Sequence, residues 1–146
     1  MKVVVVDIDG TIADTRERAK KYLETSPKDW DKFYDSCAED KPIWPIIHLV
    51  QSLMRDYVIV FCSGRRESCR KDTVSWIKRF FGYDRYPILL RSNGDTRHDT
   101  EVKPELMQKS GHTPDNVAFI LEDRNSMVKK WRELGFTCLQ VAEGDF

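Results

Sequence analysis

The chain has 146 residues, a length that fits one domain with a single hydrophobic core. Its composition, 40% hydrophobic and 33% charged, is typical of a folded soluble chain, and no apolar run is long enough to span a membrane. The 24 basic and 24 acidic side chains balance, which argues against a globally basic nucleic-acid-binding protein. Only residues 62–103 are locally basic, with ten Lys or Arg against six Asp or Glu.

The N-terminus and the cysteines indicate a cellular compartment. The apolar run Val3–Val6 ends at a carboxylate and is too short for the core of a signal peptide. The four cysteines form no CxxC pair, so we expect reduced thiols and no zinc site. These features predict a cytoplasmic protein.

Five short apolar runs along the chain predict β-strands. They are continuous or rich in β-branched residues, as in strands covered on both faces. The predicted strands are Val3–Val6, Tyr57–Cys62, Tyr86–Leu90, Val117–Leu121 and, more weakly, Phe136–Val141.

Helical patterns occupy the segments between these strands. Ser26 and Pro27 look like an N-cap followed by proline at the first helical position, and they predict a helix to about Cys37. Pro104 likewise predicts the first turn of a helix, directly after Lys103. Apolar residues at helical spacing predict helices over Ile43–Arg55, Val74–Phe81 and Met127–Leu134. The alternation predicts an α/β fold, a three-layer arrangement of about five mostly parallel strands with helices on both faces.

The first predicted strand ends in two carboxylates, Asp7 and Asp9, followed by Gly10 and Thr11. If the extended conformation continues, both carboxylates point to one side. Ligands of such sheets bind at the carboxyl ends of the strands, which makes this pair a candidate for chemistry. An ordinary Asp turn with Gly10 at the bend explains the motif equally well.

Other strands also end in groups that suit phosphate chemistry. Ser63, after the second strand, offers a hydroxyl and a backbone N–H to an anion. Glu122 and Asp123 follow the fourth strand and suit a divalent cation. Lys103 is at the start of the helix predicted there, where its positive charge is unfavourable beside the helix dipole. A nearby anion would offset this effect. A turn, a helix cap and a solvated lysine would explain these features singly. Together with Asp7 they are typical of phosphoryl transfer through an aspartyl phosphate.

These motifs resemble those of the haloacid dehalogenase (HAD) superfamily of phosphotransferases. DIDGT (7–11) matches its first motif, and the strand end at Ser63, Lys103 and the pair at 122–123 match the other three. The stretches SGRRE (63–67), GDTRHD (94–99), EDR with a Trp-containing helix (122–131) and QVAEGDF (140–146) further resemble the 3′-phosphatase domain of phage polynucleotide kinase-phosphatase.

The resemblance implies a role for each catalytic residue. Asp7 would be the nucleophile, and Asp9 the general acid for the leaving sugar oxygen and then the base for the attacking water. Ser63 and Lys103 complete the catalytic set. Crowding and partial burial are expected to raise the pKa of Asp9, so that it can donate a proton.

The resemblance also implies a Mg²⁺ site. Asp7, the backbone carbonyl of Asp9 and Asp123 would bind the ion, and Glu122 would help through water or through Lys103. The family usually has Asp at the position of Glu122.

Substrate contacts follow from the same resemblance. Arg18 and Arg65 match positions that contact the substrate phosphate, and Arg16 is a rival for the role of Arg18. Asp99 matches another acidic position of this phosphatase group. Thr11 and Gly64, within the first two motifs, complete the predicted substrate-binding set.

The implied function is a Mg²⁺-dependent phosphatase that acts on 3′-phosphorylated DNA or RNA ends or on nucleoside 3′-phosphates, in the host cytoplasm if the chain is phage-encoded. No GxxxxGK[ST] motif is present, so we expect a single phosphatase domain over residues 1–146 without kinase activity. A short helical cap insertion at about residues 13–45 would leave the site open to a polymer end. A separate kinase or ligase is a candidate partner, no membrane partner is expected, and the oligomeric state is open.

Two alternatives use similar residues. The first is a HAD phosphatase of free nucleotides or other small phosphomonoesters, with the same catalytic groups. The second is a receiver-type phosphoacceptor module, which the spacing of Asp7 and Asp9 disfavours because the second carboxylate supports hydrolysis.

The tryptophans give a weaker signal. Trp30, Trp44, Trp76 and Trp131 mostly lie on apolar helical faces, which predicts core positions. Trp30 or Trp44, near the predicted cap, is a candidate for stacking a nucleobase.

Overall fold

The computed structural model describes residues 1–146 and contains seven strands and six α-helices. In chain order the strands are β1 (Val3–Val6), β2 (Ala13–Asp14), β3 (Lys41–Pro42), β4 (Val58–Arg66), β5 (Ile88–Arg91), β6 (Val117–Glu122) and β7 (Cys138–Gln140). The helices are α1 (Arg16–Tyr22), α2 (Trp30–Asp35), α3 (Trp44–Leu53), α4 (Arg70–Phe81), α5 (Asp99–Lys109) and α6 (Asn125–Glu133).

The main sheet has five parallel strands in the order β5-β4-β1-β6-β7. This confirms the predicted parallel α/β fold. The central strand is β1, in which Val5 pairs with Val60 of β4 on one side and with Ile120 of β6 on the other. After β1 the chain forms β4 and β5 on one side of this strand and then crosses to form β6 and β7 on the other side. The connections therefore diverge at the carboxyl end of β1, where a crevice opens. Asp7 and Asp9 follow β1 at this crevice.

Two hydrophobic clusters cover the two faces of the sheet. Val4 and Val6 belong to the cluster that contains residues of α3 and α4, whereas Val5 belongs to the cluster that contains residues of α5 and α6. Successive side chains of a strand point to opposite faces, so a continuous valine run supplies both layers. The central strand is therefore fixed from both sides.

A small second unit of structure lies between β1 and α3. Strands β2 and β3 pair antiparallel, with Ala13 opposite Pro42, and α1 and α2 lie between them in sequence. The helix predicted to start at Ser26 and Pro27 begins later, because the side chain of Asp29 accepts the backbone N–H of Lys32 and caps α2. The predicted helix start was therefore wrong.

Two further predictions near the site are corrected. Strand β4 extends to Arg66, so Ser63 lies within an extended segment and not at a turn into a helix. Helix α5 begins at Asp99, where the side chain of His98 accepts the N–H of Thr100. Pro104 is thus inside the helix, at the cost of one intrahelical hydrogen bond, and Lys103 is not at the helix start.

The remaining predicted strands and helices are present, with ends that differ by a few residues. Trp76 and Trp131 are buried as predicted, but Trp30 and Trp44 are each 48% exposed and do not belong to the core. None of the six helices has the length and apolar character needed to cross a membrane.

Candidate active site

The end of β1 positions two carboxylates in one cleft. Asp7 is buried, the side chain of Asp9 is 34% exposed, and both line the cleft while Ile8 between them packs in the core. Gly10 follows with a φ of 82°, and a Cβ at this position would lie 2.1 Å from the Asp123 carboxylate. The turn therefore requires glycine for its backbone conformation and for the approach of Asp123.

A cluster of three buried carboxylates surrounds one ammonium group. Oxygen atoms of Asp7, Glu122 and Asp123 lie within 4.8 Å of one another. Lys103 Nζ donates to Asp7 Oδ1 at 2.6 Å and to Glu122 Oε2 at 2.9 Å. The Thr11 hydroxyl lies 3.0 Å from Asp7 Oδ2 and 3.3 Å from Asp123 Oδ1. One ammonium for three carboxylates leaves the cluster with excess negative charge.

The pKa values of two of these carboxyls reflect burial and the neighbouring charges. Burial and the charge of Glu122 together raise the pKa of Asp7 to about 7, while Lys103 opposes the shift. Burial also raises the pKa of Asp123 to about 7, together with the charge of Asp7. Burial is the larger cause of both shifts, and the charge of a neighbouring carboxylate adds to each.

The donor set fits a hard divalent cation. Mg²⁺ and Ca²⁺ prefer carboxylate and carbonyl oxygens, which this cluster offers in a buried position. Asp7 and Asp123 are the candidate direct ligands. Glu122 is already engaged through both oxygens, because Oε2 accepts from Lys103 and Oε1 accepts the backbone N–H of Asp123 at 3.2 Å. It therefore supports the site mainly by holding Lys103.

Two buried guanidinium groups converge on Asp9. Asp9 Oδ1 accepts from Arg18 Nη2 at 2.8 Å and from Arg65 Nη2 at 2.6 Å. Asp40, which is buried, contacts the same arginines from the other side, at 2.8 Å from Arg18 Nε and 3.2 Å from Arg65 Nη2. The four side chains form a closed network of two cations and two anions.

This network corrects the expectation for Asp9. Burial raises the pKa of its carboxyl, but the charges and hydrogen bonds of Arg65 and Arg18 outweigh burial and lower the pKa below the ordinary value. Asp9 is therefore ionised in the substrate-free site. The sequence indicated crowding around Asp9 but did not reveal that two cations bind its carboxylate.

Arg16 and Arg18 have different surroundings. The Arg16 side chain is 89% exposed and pairs with Asp14 at 2.7 Å at the mouth of the cleft. The Arg18 side chain is 5% exposed and contacts Asp9 behind the cleft wall. Of the two, only Arg18 is hydrogen-bonded to a candidate catalytic carboxylate.

Asp99, the first residue of α5, also lines the cleft. One of its oxygens accepts from Arg91, and the other accepts from Arg124 Nη1 at 3.2 Å. A Cβ on Gly64 would lie 2.4 Å from Asp99 Oδ1, and the Gly64 carbonyl accepts from Arg91 Nε at 2.6 Å. Asp99 thus binds two arginines, of which Arg91 also contacts β4.

A cleft of about 890 Å³ brings the predicted residues together. Ser63 lines it while its hydroxyl accepts the backbone N–H of Arg65 at 3.1 Å. Thr11 and Arg18 lie behind the wall. The other predicted site residues line the cleft directly, namely Asp7, Asp9, Gly64, Arg65, Asp99, Lys103, Glu122 and Asp123.

Three residues of the site received no individual role from the sequence: Arg91 belongs to the basic segment 62–103, Arg124 belongs to the EDR stretch, and Asp40 belongs to neither. Arg91 ends β5 and Arg124 directly follows the acidic pair at the end of β6, so the strand-end rule that selected their neighbours also applies to them. Asp40 lies in a charged loop segment before β3. No local pattern distinguishes it from the exposed Glu39 beside it, because its partners come from α1 and β4.

The fold of the chain is HAD-like. A haloacid dehalogenase-like hydrolase from Streptococcus pneumoniae superposes with a TM-score of 0.67, over 96% of this chain and 84% of that chain, at 14% identity. This likeness concerns the fold alone.

The family follows from a closer match. A family model described as the polynucleotide kinase PNKP phosphatase domain matches residues 1–146. The chain belongs to this family and is a phosphatase, which confirms the resemblance seen in the sequence.

Two relatives have descriptions that name nucleic-acid enzymes or complexes. One is a protein of Autographa californica nuclear polyhedrosis virus described as a bifunctional polynucleotide kinase/RNA ligase, 30% identical over 135 residues. That match covers 91% of this chain and 18% of the viral protein. The other is a chain in the Pnkp1/Rnl/Hen1 RNA repair complex, with a TM-score of 0.80 and 27% identity over 100% of this chain and 44% of that chain. This chain thus spans less than half the length of either relative.

Proposed function

We propose that the chain removes the 3′-terminal phosphate from polynucleotide ends through an aspartyl phosphate formed on Asp7. One observation carries the proposal: Asp7, bonded to Lys103, and Asp9, bonded to Arg65, line the same cleft two residues apart. A nucleophile and an acid–base group are thereby placed side by side, each next to a cation. Membership of the PNKP phosphatase-domain family supports the polynucleotide as substrate.

We propose Mg²⁺ as the cofactor, held by Asp7 and Asp123 with the backbone carbonyl of Asp9. When bound, the ion would neutralise charge on the carboxylates and on the substrate phosphate. The excess negative charge of the cluster and its oxygen donors support this assignment.

In the first step Asp7 attacks the phosphorus atom with one carboxylate oxygen. Two like charges approach each other, and the positive charges of Lys103 and Arg65 reduce their repulsion. The new bond joins Asp7 and phosphorus while the bond from phosphorus to the 3′ oxygen of the sugar breaks. Burial of Asp7 keeps bulk water away from this exchange.

Asp9 acts as the general acid in the first step and as the general base in the second. The incoming phosphate competes with Asp9 for Arg65, and its negative charge raises the pKa that Arg65 and Arg18 hold low in the free site. With its pKa raised, Asp9 takes up a proton from solvent as the substrate binds and gives it to the leaving sugar oxygen. In the second step it takes a proton from the water that attacks the aspartyl phosphate, which releases inorganic phosphate and restores Asp7.

Repair of broken RNA is the proposed setting. The viral relative is described as a kinase/RNA ligase, and the structural relative belongs to an RNA repair complex. A 3′-phosphate blocks joining of an end by a ligase, so we propose that this phosphatase works beside a kinase and a ligase. RNA ends are the first substrates to test.

The experiment compares one oligonucleotide that carries its phosphate at either the 3′ or the 5′ end, as RNA and as DNA, with Mg²⁺ or with EDTA. We expect phosphate release from the 3′ end alone, lost with EDTA and in Asp7→Asn. A small phosphomonoester such as glycerol 2-phosphate is the third substrate. Release from it but from neither oligonucleotide end would reject the polynucleotide and leave a small-molecule phosphatase.

A further inference from the structure

Three aromatic side chains form one wall of the cleft. Trp30, Phe33 and Tyr34 of α2 line it together with the catalytic carboxylates, and we refer to these three residues as the aromatic wall. The Trp30 ring lies 6.1 Å from the Tyr34 ring at an interplanar angle of 28° and 6.0 Å from the Phe33 ring at 89°. No residue of α2 is buried, so the wall presents its rings to the cleft and to solvent.

Arg18 connects the aromatic wall to the reacting groups. Its Nη2 donates to Asp9 Oδ1 at 2.8 Å, and its Nη1 donates to the Phe33 carbonyl at 2.9 Å. The guanidinium also lies 4.4 Å over the centroid of the Phe33 ring. One planar group therefore fixes the wall relative to Asp9, and the wall is part of the scaffold of the site.

Core packing does not account for Trp30. The core tryptophans Trp76 and Trp131 are 2% and 1% exposed, whereas Trp30 is 48% exposed. Trp44 has the same exposure, but it lies outside the cleft and contacts Phe80, with ring centroids 5.7 Å apart. An aromatic ring left open in a cleft beside a phosphate-handling site is suited to stacking a flat ligand group.

Cationic groups lie beside the same rings. The Arg66 guanidinium is 4.4 Å from the centroid of the Tyr34 ring, and Lys28 Nζ is 6.0 Å from that of Trp30. Aromatic platforms with neighbouring positive charge are typical of sites that hold single-stranded nucleic acid, because bases stack while cations attract the phosphates. The cleft of about 890 Å³ is also far larger than one phosphate group needs.

We propose that the aromatic wall stacks the nucleobase at the 3′ end of the substrate while the terminal phosphate lies between Asp7 and Arg65. The proposal rests on the proposed function and names what the site recognises besides phosphate. Every base has a π-face, so the wall accepts any base and discriminates against substrates that have none.

The test uses two oligonucleotides with a 3′-phosphate, one with a base on the terminal nucleotide and one with a terminal abasic nucleotide, together with glycerol 2-phosphate. Wild type is compared with Trp30→Ala, Trp30→Phe and the matched control Trp44→Ala. We expect Trp30→Ala to raise KM about 10-fold for the base-bearing end with little change in kcat. KM for the other two substrates stays unchanged, Trp30→Phe retains most of the affinity, and Trp44→Ala behaves as wild type on all three.

Several results would overturn the proposal. An unchanged KM in Trp30→Ala would show that no base stacks there, and an equal rise for the base-bearing and abasic ends would show that Trp30 only supports the cap. Wild type that hydrolyses glycerol 2-phosphate but neither oligonucleotide would overturn the proposed function and this inference together. Thermal melting of each variant identifies any change that comes from lost folding.

Discussion

Arg18 and Arg16 show how two neighbouring arginines of α1 differ in what they contact. Arg18 gives hydrogen bonds to Asp9, Asp40 and the Phe33 carbonyl, all inside the protein. Arg16 pairs with one aspartate at the surface, where solvent weakens the interaction. The structure thus separates two residues that the sequence offered as rivals.

We predict that Arg18→Ala lowers kcat at least about 100-fold, because Asp9 loses a partner that orients it for proton transfer. Arg18→Lys lowers kcat nearly as much, since an ammonium cannot contact Asp9, Asp40 and Phe33 at once. Arg16→Ala, the matched control, changes kcat less than about 3-fold. Steady-state kinetics on a 3′-phosphorylated oligonucleotide measures all three. Equal losses in Arg16→Ala and Arg18→Ala would contradict this role of Arg18.

The acidic cluster makes a prediction about pH and stability. The folded pKa of Asp123, about 7, lies above its ordinary value, so the folded state holds a proton that the unfolded state has released. Without metal, this carboxyl therefore makes folding less favourable as pH rises from about 4 to about 7. Asp123→Asn, which has no carboxyl proton to lose and gains no charge as pH rises, escapes the penalty.

In EDTA we expect the melting temperature of Asp123→Asn, relative to wild type, to increase by at least about 3 °C between pH 5 and pH 8. The exposed Asp56→Asn controls for the loss of one charge and shows no such trend. With Mg²⁺ in place of EDTA, wild type gains stability that Asp123→Asn does not. A difference independent of pH would mean that Asp123 is not desolvated as the structure indicates.

At the scale of single residues, the sequence identifies groups but not their partners. Asp7, Asp9, Lys103 and Asp123 are recognisable because each lies near a strand end or in a family motif. The low pKa of Asp9 is not recognisable, because it depends on Arg65 and Arg18 meeting one carboxylate from distant parts of the chain.

Among the elements, β4 and α5 decide the geometry of the second half of the cleft. Gly64 lets the start of α5 approach β4 so closely that a Cβ there would lie 2.4 Å from Asp99 Oδ1. Asp99 can then bind Arg91 and Arg124 at the same time. Gly64 has no positive φ, so its importance lies in this close approach and not in backbone freedom.

We predict that Gly64→Ala reduces kcat/KM at least about 10-fold, because the added methyl displaces Asp99 and releases the two arginines it holds. Gly82→Ala is the control: Gly82 ends α4 with a φ of 74° and has open space around it. That variant loses about 1 kcal/mol of stability through backbone strain but keeps its activity. Melting curves and kinetics on both variants separate the two effects, and full activity in Gly64→Ala would refute the packing argument.

Element boundaries were predictable where one local signal dominated. The valine run of β1 and the apolar spacing of α3 and α6 each identify one element. The starts of α2 and α5 were not predictable, because several residues near each start can act as the cap and tertiary contacts decide among them. In α5, tertiary contacts bury Lys103 against Asp7 and Glu122, although the next residue of the helix is a proline.

For the whole molecule, the alternation of strands and helices was enough to predict the parallel sheet and the edge that carries the site. Strand order and the placement of the helices between β2 and β3 depend on long-range packing. The sequence therefore offered Trp30 as a candidate for stacking but could not place it in the cleft with Phe33 and Tyr34. The cleft joins both parts, with the carboxylates on the sheet edge and the rings on the cap.

The most direct test of the central claim follows the phosphate itself. An oligonucleotide with a ³²P-labelled 3′-phosphate is mixed with excess wild-type protein and Mg²⁺, quenched in acid within milliseconds, and the protein is digested and mapped. We predict transient label on the peptide that contains Asp7, none in Asp7→Asn, and none from the same oligonucleotide labelled at its 5′ end. Phosphate release by wild type without labelled protein would contradict the aspartyl phosphate on Asp7. Label acquired from the 5′ end would contradict the specificity for 3′-phosphates.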